Sequence, residues 1–157
     1  MNILFLCTGN SCRSIIAEAI FKSMAQAGLT AQSAGSKPAG FVYPRALAAL
    51  KEAGIATEGL FSKSWGNLPE KPDAVITLCA DAADEACPLY SGKVARSHWG
   101  MPDPAKVQGD EAAINAAFIE TLAVLRRRIS ALVKQLGAEP GMDASRLQTV
   151  LDDIAAM

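Results

Sequence analysis

The stretch FLCTGNSCRSIIAEA, residues 5–19, decides how the rest of this chain is read. It leaves an apolar run, NILFLC at residues 2–7, and crosses a short polar loop containing Gly9. It then continues with Ile16, Ala19, Ile20 and Met24 at helical spacing. Cys7 ends the apolar run, and Arg13 and Ser14 stand where the helix begins. If the loop curls so that its backbone N–H groups point inward at the start of a helix, it forms a cradle for a tetrahedral oxyanion. Arg13 then clamps two of the anion's oxygens in a bidentate fork. The same dipoles lower the pKa of a thiol at Cys7, and Ser14 donates a hydrogen bond to its sulfur. The spacing is Cys-x5-Arg-Ser; the glycine and lysine spacing of a Walker loop is absent.

Outward from this loop the elements alternate. NILFLC reads as a buried strand, and SIIAEAIFKSMAQAG as a helix with Gly28 as its stop. TAQSAGS is a short strand, PRALAALKEAG a helix with proline in its first turn, DAVITLC a strand and KVARSHWG a weaker one. A long amphipathic helix, EAAINAAFIETLAVLRRRISALVKQLG, is stopped by Gly137. Strands separated by helices predict one open parallel sheet of about four strands with helices on both faces, an α/β domain over residues 1–137. Residues 138–157 form an extension whose Leu147, Val150, Leu151 and Ile154 fall on one stripe, the mark of a last helix packed on the domain. Ligands of such sheets bind beyond the carboxyl ends of the strands. Cys7, Cys79 and the stretch after SHW all fall there.

At 157 residues and 50% hydrophobic content the chain supports one core, and a formal net charge of −1 gives no reason to expect nucleic acid or an anionic membrane as partner. Arg126, Arg127 and Arg128 lie within a helical pattern and read as a solvated face. The apolar start has no basic leader and is too short for a signal core or a membrane span, so a cytoplasmic location is expected. There Cys7, Cys12, Cys79 and Cys87 serve as thiols, metal ligands or catalysts rather than static disulfides. No pair has Cys-x2-Cys spacing, and Arg13 in the cradle repels cations, which argues against zinc. His98 is the one histidine, too isolated to pair with a cysteine, and reads as structural. Cys12 reads as a packing or redox-protective thiol.

The strand, the loop CTGNSCRS and the helix together resemble the low-molecular-weight protein tyrosine phosphatase fold family. That resemblance implies Cys7 as nucleophile, Arg13 as oxyanion binder, Asn10 and Ser14 as loop-organising residues, and Thr8, Gly9, Ser11 and Cys12 as the rest of the cradle. It also directs attention to an aspartate–proline pair, found here as Asp103–Pro104. Asp103 would be the general acid that protonates a departing oxygen; its plainer reading is a cap for the turn that follows.

Two further cysteines narrow the resemblance. VITLCADAADEACPLY carries Cys79 at a strand end and Cys87 eight positions later, and with SHWGMPDPA it resembles the thioredoxin-coupled arsenate reductases built on this fold. Phosphatases of the fold typically show tyrosine after Asp-Pro, where this chain has Ala105. The resemblance implies reduction of arsenate by attack of Cys7, then of Cys79 on Cys7, then of Cys87 on Cys79, leaving a disulfide for an external reductant. That reductant is thioredoxin, or alternatively glutaredoxin with a small thiol, because thioredoxin-using relatives commonly space the last two cysteines one residue closer. Some relatives bind potassium through positions resembling Asn10, Glu18 and Ser33, and no tightly bound cofactor is otherwise expected. The alternative function is a low-molecular-weight protein tyrosine phosphatase. If residues 80–87 were helical, Cys79 and Cys87 would stand about 12 Å apart along the axis. A disulfide spans only about 4.4–6.8 Å between Cα atoms, so the segment would have to unwind on oxidation.

Overall fold

The computed structural model describes residues 1–80 and 93–157. Its strands are β1 (Asn2–Leu6), β2 (Thr30–Ala34), β3 (Ala74–Thr77) and β4 (Ala95–His98). Its helices are α1 (Arg13–Met24), α2 (Pro44–Glu52), α3 (Glu111–Ala138) and α4 (Ala144–Ala155). The four strands form one sheet in the order β2-β1-β3-β4, and every neighbouring pair is parallel. The alternation of apolar runs and helical stripes thus yields the open α/β sheet it predicts.

β1 is central and buried along its whole length. Ile3 and Phe5 face a large cluster that takes in Ile16 and Ile20 of α1, Leu125 and Ile129 of α3, and Leu151 of α4. Phe5 sits between Phe21 and Trp99, with ring centroids 6.2 and 6.4 Å away. These offset aromatic contacts anchor the strand two residues before Cys7. On the opposite side Leu4, Leu6, Ala34 and Val75 pack against Trp65 and Leu68. The marginal helix suggested for residues 80–87, and Cys87 with it, lies outside the described residues beyond position 80.

Two expected helix stops move. α1 ends at Met24, and Gly28 follows in the turn before β2, at φ 88° where glycine carries no Cβ penalty. α3 runs through Gly137 to Ala138. Gly137 is not the stop because it does not adopt the left-handed backbone of a helix-ending glycine and continues the helix instead. In α4 the predicted stripe is buried against β4 and α3, and Asp143 caps its first turn by accepting the Arg146 N–H at 2.8 Å. Gln148 meets the outer edge of β4: its Oε1 accepts the Arg96 N–H at 2.9 Å and its Nε2 donates to the Arg96 carbonyl at 2.6 Å. Those two bonds satisfy backbone groups that an edge strand would otherwise present to another chain.

The end of β2 meets the start of the cysteine loop with no room to spare. A Cβ on Gly35 would lie 2.3 Å from the Thr8 carbonyl oxygen and 2.6 Å from that of Cys7, both rigid backbone atoms. Gly35→Ala is therefore expected to force the two segments apart and destabilise the fold by about 1–3 kcal/mol. Urea unfolding checks this; a midpoint unchanged from the parent protein contradicts so close an approach.

Candidate active site

Residues 7–14 connect the carboxyl end of β1 to α1. Their carbonyls are held by chain from elsewhere: Thr8 accepts the Lys37 N–H at 3.0 Å, Gly9 the Ala39 N–H at 2.9 Å, and Ser11 the Tyr43 N–H at 2.8 Å. Ser62 Oγ also donates to the Gly9 carbonyl at 3.3 Å. The backbone N–H groups of Gly9 through Ser14 make hydrogen bonds to no described residue. Cys12, at the N-cap of α1, places no side-chain acceptor over the helix start. A turn whose carbonyls are taken and whose N–H groups stay unpaired at a helix N-terminus is chemically an anion receptor.

Asn10 keeps this turn in shape. Its φ of 43° is in the left-handed region, which asparagine tolerates better than most side chains. The side chain is fully buried: Nδ2 donates to Ser14 Oγ at 2.8 Å and Oδ1 accepts the Lys63 N–H at 2.9 Å. Ser14, also buried, thereby keeps its own hydroxyl proton available.

Arg13 begins α1 and reaches across to the segment after β4. Nη1 donates to the Met101 carbonyl at 3.0 Å, and Nη2 lies 3.5 Å from Asp103 Oδ2. Its Nε is buried with no partner among the described residues, a donor that an oxyanion would satisfy. Asp103 takes up the cap reading, its Oδ1 accepting the Ala105 N–H at 2.9 Å at the start of the 3-10 turn Pro104–Lys106, while Oδ2 faces Arg13.

Cys7 and Cys79 form a small buried cluster of their own at the ends of adjacent parallel strands. The Thr8 N–H donates to Cys79 Sγ at 3.4 Å, and Thr8 Oγ1 lies 3.6 Å from the same sulfur. Neither Cys7, Cys12 nor Cys79 is in a disulfide. The Cys7 pKa departs from expectation. It is pushed far above the usual cysteine range, first by the hydrogen bond to the Cys79 side chain and then by burial, against the pull of Arg13. The loop does not by itself lower the Cys7 pKa, because the contact with Cys79 and burial outweigh Arg13. Cys12 is pushed up to about 12, mainly by burial, as suits a packing thiol.

His98 is paired in register with Thr77, and its Nδ1 lies 2.8 Å from Thr77 Oγ1, a structural contact at the end of β4. Ser62 and Lys63, which brace the loop, come from a stretch without apolar periodicity and carry no signal readable in the sequence. Glu18, one of the residues proposed for potassium, is almost fully buried. Its Oε1 accepts from Ser33 Oγ at 2.8 Å and lies 3.5 Å from Lys63 Nζ, and its Oε2 accepts from Lys22 Nζ at 2.8 Å. With Asn10 Oδ1 also committed, these oxygens do not fit a further cation. Burial draws the Lys63 pKa down, and Glu18 draws it back.

No helix among the described residues is long and apolar enough to cross a membrane. Comparison with known proteins agrees with the geometry. The low molecular weight phosphotyrosine protein phosphatase family matches residues 2–141. Arsenate reductase of Bacillus subtilis is 44% identical over 110 residues, 69% of this chain and 78% of that protein. The solved thioredoxin-dependent arsenate reductase of Corynebacterium glutamicum superposes with a TM-score of 0.65 at 27% identity, over 87% of this chain but 62% of that one. An arginine phosphatase from Bacillus subtilis, solved with a phosphorylated active-site serine, superposes with a TM-score of 0.61 at 27% identity, over 94% of this chain and 99% of that one. By sequence and by fold, this chain belongs to the low molecular weight phosphotyrosine protein phosphatase family.

Proposed function

We propose that the protein is an arsenate reductase that passes two electrons from cysteine thiols to arsenic. The observation that carries this reading is the second buried thiol: Cys79 lies against Cys7 at the mouth of an oxyanion loop. Phosphate ester hydrolysis needs one nucleophilic cysteine and water; it has no use for a second sulfur there.

The steps follow from sulfur chemistry. Arsenate, a tetrahedral oxyanion, enters the cradle of residues 8–14 and takes up the unpaired N–H groups and the Arg13 guanidinium. Its arrival draws the Thr8 N–H and Arg13 toward the anion and favours the thiolate at Cys7, whose sulfur bonds to arsenic. Asp103 supplies the proton with which one oxygen leaves as water. Cys79, as thiolate, then attacks Cys7 Sγ. The S–As bond breaks with its electron pair going to arsenic, which departs as arsenite, and a Cys7–Cys79 disulfide remains. Cys87 attacks Cys79, restores Cys7 as a thiol and leaves Cys79–Cys87 for an external dithiol. Thioredoxin is the proposed donor, with glutaredoxin and a small thiol as the alternative. The balance is two thiols oxidised for one arsenic reduced from the pentavalent to the trivalent state.

Turnover separates this from the phosphatase of the same fold. Arsenate-dependent consumption of reducing equivalents, with thioredoxin present, is expected to fall by about 10³-fold or more in Cys79→Ser and in Cys87→Ser. Aryl-phosphate hydrolysis that is brisk and survives both substitutions would instead identify a phosphatase. The thiol pair has its own test. Because the Cys79 hydrogen bond raises the Cys7 pKa, Cys79→Ala should lower it, increase the thiolate fraction at pH 8 and speed alkylation of Cys7 by iodoacetamide. Slower or unchanged alkylation contradicts the assigned direction.

A further inference from the structure

The buried carboxylate of Glu18, on α1, is linked to the oxyanion loop through Lys63, which bonds both it and Asn10. Two lysines meet it. Lys22, one turn along α1, is a half-exposed partner. Lys63 comes from the segment between α2 and β3, and its side chain is only 11% exposed. Four contacts hold Lys63: its N–H to Asn10 Oδ1, its carbonyl to the Gly35 N–H at 3.0 Å, Nζ to the Phe61 carbonyl at 3.1 Å, and Nζ 4.3 Å from the Phe61 ring centroid. Lys63 therefore touches Asn10, whose strained backbone shapes the cradle. It also touches Gly35, which packs on Cys7 and Thr8, and Glu18. A cleft of about 250 Å³, lined in part by Glu18, Lys22, Lys63 and Glu70, opens beside the pair.

We infer that Lys63 is a positioning residue whose ammonium supplies, within the chain, the positive charge beneath the oxyanion loop, and that the protein consequently needs no potassium ion there. Together with Lys22 on the other carboxylate oxygen, the ammonium offsets the Glu18 charge, so the buried carboxylate does not oppose the anion held by the loop that Asn10 shapes. It also ties the segment carrying Ser62 and Lys63 to α1, which keeps the Asn10 and Gly9 contacts in register. Removing the charge while keeping the backbone leaves the buried carboxylate with the half-exposed Lys22 as its one remaining cation among the described residues, at the side of an open cleft, and a monovalent cation from solution then has both a reason and a route to enter.

The inference rests on the oxyanion-loop reading and not on the reduction, so its test uses inorganic phosphate binding and melting temperature, neither of which requires turnover. The intact protein is compared in potassium chloride and in choline chloride at equal ionic strength. The parent protein is expected to bind phosphate with affinities within about twofold in the two salts, and to melt at the same temperature. Lys63→Met, which retains the backbone N–H to Asn10, should bind phosphate about tenfold more weakly in choline chloride, and should recover most of that loss and melt higher in potassium chloride. Lys63→Arg should stay near the parent. The inference is overturned if the parent gains affinity severalfold with potassium, a comparison that needs no variant to fold. It is equally overturned if Lys63→Met binds phosphate as tightly as the parent in choline, or is weakened to the same degree in both salts.

Discussion

A backbone that is to present its N–H groups to an anion must first give its carbonyl oxygens to something else. Everything distinctive in this molecule follows from that constraint at residues 8–11. The carbonyls of Thr8, Gly9 and Ser11 are taken by Lys37, Ala39, Tyr43 and Ser62, all from the stretch between β2 and β3. The loop is thus bent by its flanks and not by its own sequence alone. Asn10 accepts a positive φ because its side chain is bonded at both ends, and Gly35 permits the approach because it has no Cβ. The aromatic contacts of Phe5 hold the other end, so the cradle sits between a rigid strand and the first turn of α1.

Onto this receptor the parallel sheet adds a second sulfur at almost no structural cost. β1 and β3 are neighbours in register, Leu6 beside Thr77, so the residues just beyond their carboxyl ends meet. Cys7 and Cys79 stand there, and together they change what the family's loop can do. A single thiol in the cradle forms and hydrolyses an ester; a pair can take arsenic down by two electrons and keep the oxidation as a disulfide. The same proximity pushes the Cys7 pKa up, and the Thr8 amide beside it donates to Cys79. On the proposed mechanism, an anion that claims those donors is also what releases the nucleophile.

Much of this was legible in the residues. Cys-x5-Arg-Ser after a terminal apolar run identifies the loop, because strand, anion loop and helix start are all short-range features. The position of Cys79 follows from its place at the end of the DAVITLC strand, and Asp103 from the aspartate–proline pair to which the family resemblance points. The Cys7 pKa was read with the wrong sign, since it depends on a partner 72 positions away in sequence. Lys63 was invisible for a related reason: GLFSKSWGN has neither a period of two nor one of 3.6, and its bonds to Asn10, Gly35 and Glu18 are all long-range. Gly137 shows the converse error, a residue whose type suggested a helix end and whose backbone stays helical.

The account depends above all on Cys79 being the group that attacks Cys7 once arsenic is bound. Peptide mass mapping of Cys87→Ser after a single equivalent of arsenate, with no reductant, examines that step alone. The predicted result is a Cys7–Cys79 linked peptide pair, two hydrogens lighter than the separate peptides, formed together with an equal amount of arsenite. Recovery of both cysteines as alkylatable thiols, with arsenate unchanged, would contradict it.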